Sequence, residues 1–369
     1  MKTSRTASRL NLNSFPAPRS ARAVGAVAAV AGEPVGLDRF GRLVGGLAPA
    51  VVVALMAARV MAGPDGAQVA NGNVTIQRQG DKTVIHASNN AIINYRNFDI
   101  ARHETVQFVQ PDALARVLNR INSPAPTKID GRLLANGRVF IVNPAGVVFG
   151  KGAVVNAAGL FAAAGNITDS DFVKGMYRFT DVKGSVANHG TIQAGDVALI
   201  GKSVSNAGTI VADRGSVVMV SGDSVLVGEV GGRIYVRLEN DHAGPGREAA
   251  SSRPAANNPW AVGDMYSMAI RHAGNVKAGK VHIESKSGVV AVEGTIDASD
   301  TAPGRTGGDV KVLGPYVGVS GSIDASGAAG GGRGAGESGG AVRMGAGAWL
   351  GVTNAFSLRG SNAVVWAET

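Results

Sequence analysis

Residues 188–220 read NHGTIQAGDVALIGKSVSNAGTIVADRGSVVMV, and they state one pattern twice. Asn188-His-Gly-Thr-Ile192 returns 18 residues later as Asn206-Ala-Gly-Thr-Ile210. Each copy leads into a turn, Gly195-Asp196 in one and Asp213-Arg214-Gly215 in the other, and then into an apolar run. The runs Val197–Ile200 and Ser216–Val220 are four or five residues long, which suits a strand and is too short for a helix. A unit of this size cannot bury its own apolar face, so units must stack and share one core.

The pattern continues downstream. Gly294-Thr-Ile-Asp-Ala-Ser299 is answered 27 residues later by Gly321-Ser-Ile-Asp-Ala-Ser326, and Gly308-Asp-Val-Lys-Val312 by Gly340-Ala-Val-Arg-Met344. Asn and Gly supply the tight turns between runs, and a stacked Asn side chain can bond its equivalent in the next coil. The expected fold is all-β, a right-handed single-stranded parallel β-helix with an N-terminal cap. At about 4.8 Å per coil, roughly 13 coils would make a rod of about 60 Å. Two stretches interrupt the pattern: 239–262 reads as an exposed loop rich in Pro, Ala, Ser and Asn, and 327–340 as a Gly-rich turn. Pro111–Ile121 has apolar residues at 114, 117, 118 and 121, which predicts one helical turn.

Composition agrees with short strands. Gly is 53 of 369 residues and aromatics are 5%, so small and β-branched side chains must build the core. The net charge of +9 invites a nucleic-acid partner, but residues 1–62 hold eight basic and two acidic groups. The other 307 residues carry 28 basic against 25 acidic groups, too even a balance for a phosphate-binding field, so no nucleic acid is expected. The basic leader runs into the 16-residue apolar stretch Leu43–Ala58, followed by Arg59, Val60-Met61-Ala62 and Gly63-Pro64. This is the layout of an extended signal peptide over 1–62, cleaved at Ala62–Gly63, with Ala67 and Ala70 as secondary sites. The chain has no cysteine, as suits a polypeptide that crosses a second membrane unfolded.

No residue pattern marks a catalytic, metal or cofactor site. The six histidines (86, 103, 189, 242, 272, 282) never fall at metal-ligand spacing. Gly195–Ser203 has five residues between its glycines where a phosphate-binding loop needs four, and its interior reads as a buried strand. Asp297 and Asp324 occupy equivalent places in two repeats, the mark of a turn residue. Because parallel β-helices also carry polysaccharide lyases, a secreted carbohydrate-active enzyme is the alternative reading, and carboxylates converging on one groove with Lys or Arg would favour it.

A longer resemblance runs through Gly72–Ile76, Ala91–Ile100, Glu104–Pro111, Val117–Ile121, Ile129–Gly150 and Asp169–Phe172. Over these segments residues 64 to about 180 resemble the secretion domain (haemagglutination activity domain) of filamentous haemagglutinin-like exoproteins, the passengers of two-partner secretion. That family's Asn-Pro-Asn-Gly tetrapeptide is matched by Asn143, Pro144 and Gly146, with Ala145 in place of the second Asn. The family's second motif, of Asn-Pro-Asn-Leu type, is not visible. The resemblance implies that Asn143, Pro144, Ala145 and Gly146 serve recognition by an outer-membrane barrel transporter with POTRA domains. It further implies export through the periplasm to the surface or medium, and a non-catalytic, adhesin-like role toward a host-cell or matrix carbohydrate or protein receptor. The implied organisation is 1–62 signal, 63–180 secretion domain, 181–238 repeats, 239–262 loop and 263–369 repeats with Gly-rich turns. Asn362–Thr369 looks like the start of a further repeat, so the chain reads as either a compact or a truncated member.

Overall fold

The computed structural model describes residues 63–230, 233–239, 268–300, 302, 305–328, 340–352, 357–359 and 362–367. The proposed signal peptide with Ala62, most of the 239–262 loop and the centre of the Gly-rich turn lie outside the described residues.

Three ladders of parallel strands wind into one β-helix. The first ladder begins with Lys82–Ala87, Thr105–Val109 and Arg132–Ala135. It continues through the leading halves of Val154–Ala163, Thr191–Gly201, Thr209–Ser221 and Asn275–Ser285, and ends with Thr295–Asp297, Ser322–Asp324 and Ser357–Arg359. The second holds Ala91–Tyr95, Arg116–Ile121, Arg138–Val142 and the trailing halves of the long strands. The third runs from Thr127–Ile129 and Gly146–Phe149 through Ser185–Asn188, Ser203–Asn206, Met268–His272 and Val289–Val292 to the trailing halves of Asp309–Val319 and Ala341–Val352. Val155, Ile192, Ile210, Val276, Ile296 and Ile323 stand one above another in the first ladder, all at most 1% exposed. Alternation along each strand aims such columns inward, where the three ladders share one core.

The N-terminal end is capped by reversal. Gln68–Asn71 lies antiparallel on Ala91–Tyr95, and Val74–Gln79 antiparallel on Lys82–Ala87. These strands cover the first coil, whose edge would otherwise offer a bare row of backbone donors and acceptors.

The spacing of coils exposes two excursions. Val186 and Val204 are neighbours in the third ladder 18 residues apart, but Val147 and Val186 are 39 apart, and Val204 and Ile270 are 66 apart. The first excursion carries the helix Asp169–Lys174 and the strand Tyr177–Phe179. The second carries the hairpin Ser224–Val230 and Arg233–Glu239, which completes a three-stranded antiparallel sheet with Tyr177–Phe179. Helix and sheet lie over the outer face of the second ladder and form a second core, with Phe140 stacked on Phe161 at 4.2 Å and Phe172 edge-on to Phe140 at 5.2 Å. Arg116 and Arg120 fasten the first excursion. Arg116 donates to Tyr177 Oη at 2.8 Å and Val173 O at 3.1 Å, and Arg120 to Asp169 Oδ1 at 2.6 Å and Ile167 O at 2.8 Å.

Double burial explains the unbroken apolar runs. Ala198 and Ile200 point away from the central core yet are fully buried, as are Val218 and Val220, because the excursions cover them. Farther along that outward column the residues become His282, Lys311 and Arg343.

Two expectations are corrected. Pro111–Ile121 forms no helix: Asp112 Oδ1 closes a turn by accepting from Leu114 N and Ala115 N, and Arg116–Ile121 is a strand. Its pattern at 117, 118 and 121 arises because Val117 and Ile121 face the central core while Leu118 faces the covered side. The described first ladder has ten rungs rather than about 13. The excursions use chain that the coil count had assigned to stacking.

Candidate functional site

The tetrapeptide Asn143-Pro144-Ala145-Gly146 forms the corner between the second and third ladders, joining Arg138–Val142 to Gly146–Phe149. The corner closes locally in two ways. Gly146 N donates to Asn143 O at 2.8 Å, and Ala145 N donates to Asn143 Oδ1 at 2.9 Å. The second bond is the side-chain turn to which Asn is suited, and Pro144 presets the backbone between them.

Asn143 also joins three coils. Its Nδ2 donates to Ala125 O and to Thr127 Oγ1, both at 3.0 Å, in the preceding coil. Its backbone N donates to Ala163 O at 3.0 Å in the following one. Asn143 is fully buried, so its amide faces the protein and not solvent. Gly184 of the next coil roofs the corner, where a Cβ would stand 2.5 Å from Pro144 O. Gly146 has φ +122°, and a Cβ there would stand 2.7 Å from Ser185 O, so both its dihedral and its space require glycine. Pro144 and Ala145 are half-buried and are the members of the corner that reach the surface. None of the four carries a charge.

Other sequence candidates fall elsewhere. Gly63 opens the described chain. Gly195–Ser203 lies in strand Thr191–Gly201 and its continuation, with Val197–Ile200 fully buried, and so presents no phosphate loop. Asp297 and Asp324 stand in register one rung apart on the outward side, with Lys277 and Arg359 on the adjoining rungs. Each Oδ1 accepts from the N and Oγ of its own Ser299 or Ser326, as a turn residue does. Among the described residues no three His, Asp or Glu side chains gather as metal ligands.

Sequence reasoning missed the partners of Asn143. Thr127, 1% exposed, lies 16 residues upstream in a three-residue strand, and nothing in its neighbours marks it as a side-chain acceptor. It missed also the first excursion, whose Phe172 and Tyr177 hold Phe140 from outside, and the strand hairpin of the second.

Comparison with known proteins places this geometry. The chain is 35% identical over 191 residues to a heme/hemopexin-binding protein of Haemophilus influenzae strain Rd, covering 48% of this chain and 21% of that one. A second Haemophilus influenzae protein of the same description is 37% identical over 111 residues, covering 30% and 12%. The chain thus spans about a fifth or less of the curated relatives it matches. Among solved structures, the secretion domain of HMW1 from Haemophilus influenzae superposes with a TM-score of 0.57 at 25% identity, covering 83% of this chain and 88% of that one. The filamentous hemagglutinin secretion domain superposes with a TM-score of 0.54 at 14% identity, covering 82% and 100%, a likeness of fold. A family model described as the TPS secretion domain matches residues 60–329. With its capped β-helix and a match over most of its length, the chain belongs to the TPS secretion domain family, that of the exported passengers of two-partner secretion.

Proposed function

We propose that residues 63–180 address this exoprotein to an outer-membrane barrel transporter with POTRA domains, and that the corner Asn143–Gly146 serves this step through its shape. The observation that carries the reading is the bonding of Asn143, whose side chain is consumed within the protein. Recognition of the turn, which the local bonds Gly146 N to Asn143 O and Ala145 N to Asn143 Oδ1 can close before any coil stacks, therefore falls to Pro144, Ala145 and the backbone course that Asn143 and Gly146 impose.

The chain would leave the periplasm unfolded and fold outside, coil upon coil, on the template of the first coils. Each new coil buries its inward column against the last, and that gain biases passage outward without a nucleotide. Residues 181–369 would then form a non-catalytic, adhesin-like shaft toward a host-cell or matrix carbohydrate or protein. The test is export from a cell with and without the barrel partner. Appearance of the chain outside only when the partner is present supports the reading, and equal export in its absence overturns it.

A further inference from the structure

His272 occupies the place that asparagine holds in the two preceding coils. Asn188, Asn206 and His272 are stacked in register in the third ladder, all fully buried. Their side chains form one hydrogen-bonded chain. Gly190 N donates to Asn188 Oδ1 at 3.1 Å, and Asn188 Nδ2 donates to Asn206 Oδ1 at 2.8 Å. Asn206 Nδ2 meets His272 Nδ1 at 3.2 Å, and His272 Nε2 meets Thr295 O at 3.0 Å.

The two ends fix the direction of the chain. A backbone N–H can only donate and a backbone carbonyl can only accept. Running from Gly190 to Thr295, every bond then points the same way, with Nδ1 of His272 an acceptor and Nε2 carrying the proton. A second proton on His272 sets Nδ1–H against the Asn206 amide N–H. Flipping Asn206 moves the conflict to Asn188, and flipping Asn188 moves it to Gly190 N, where it ends with two donors facing. No rearrangement of the two amides removes it.

We propose that His272 is an acid-sensitive latch between the coil of Ser203–Asn206 and the repeat coils that begin at Met268. The latch sits where the spacing between stacked residues, 66 positions from Asn206 to His272, is bridged by the second excursion. Burial holds the imidazole below its usual range, which opposes protonation in the folded state. Across the ladder His272 faces Asn206 from one side and Val292 from the other, with Thr295 at its Nε2. The charged neighbours Arg271 and Glu293 are exposed and bond each other at 2.8 Å, so among these groups none offers a counter-charge to an imidazolium.

The sign follows. With a folded value below the unfolded ~6.5, the contribution of His272 is complete above about pH 6.5 and is lost as pH falls toward the folded value, by roughly tenfold in the opening constant per pH unit. The experiment is hydrogen exchange of the full chain at pH 7.5, 6.5 and 5.5, corrected for intrinsic exchange, with His272→Asn and His272→Val beside it. Asn extends the ladder of the two coils before, and Val is what the next coil carries at residue 292. The expected result is loss of protection in 268–297 on acidification of the native chain, at least several-fold more than in 191–221, and its absence in both variants. Equal acid sensitivity in native chain and variants, or no acid sensitivity in the native chain, overturns the latch.

Discussion

Replacing Asn143 by Ala removes three side-chain hydrogen bonds, to Ala125 O, Thr127 Oγ1 and Ala145 N. At about 1 kcal/mol each, and with Thr127 Oγ1 left without this donor inside the protein, the loss is about 3 kcal/mol. At ~3 kcal/mol per M for a chain of this size, the urea midpoint should fall by roughly 1 M. Export and stability are to be measured together on Asn143→Ala and on Ala145→Asn, which restores the family residue at the half-exposed position. If the corner acts through its shape, Asn143→Ala should lose both export and midpoint, while Ala145→Asn keeps both. Normal export of an Asn143→Ala chain whose midpoint has dropped would separate the corner from secretion and refute the reasoning. An unchanged midpoint would refute the bonding argument itself.

Gly146→Val should be worse than Asn143→Ala, at more than about 3 kcal/mol, because it meets both the φ of +122° and the Ser185 carbonyl, and expression of folded protein should report it. Phe140→Ala should cost about 3–5 kcal/mol by emptying the stack with Phe161 and Phe172, and limited proteolysis should then cut first within 164–183. Sequencing of exported protein should start between Gly63 and Asn71, and a mature chain still beginning at Met1 would contradict the leader.

The coils were legible where one strand face is solvated. Asn188-His-Gly-Thr-Ile192 and Asn206-Ala-Gly-Thr-Ile210 announce their stacking because turn, outward Thr and inward Ile recur together, and the ladder pairs them residue for residue. His272-Ala-Gly-Asn-Val276 is the motif of Asn206–Ile210 with three letters changed, and it went unread because histidine hides the asparagine position. The excursions were illegible for another reason. Strands such as Val197–Ile200, buried on both faces, show no alternation, and an apolar run does not say what covers it. At the corner, the residue types Asn, Pro and Gly gave the turn, but the amide's reach to Ala125 and Thr127 depends on which coil lies beneath, a fact of stacking and not of local sequence.

The cover over the second ladder arrives late in the chain. Ile92 and Leu118 precede Phe172 by 80 and 54 positions, and the Ser224–Val230 hairpin comes later still. A chain delivered N-terminus first must therefore spell out some 80 residues, roughly 260 Å of extended polypeptide, before the outer side of its first coils is shielded. During that interval the growing β-helix is greasy on its outside as well as within. Two neighbouring molecules caught at that stage would share the surface that Phe172 and Tyr177 are about to claim, so crowding of emerging chains, more than any defect in the finished fold, is the hazard built into this sequence order.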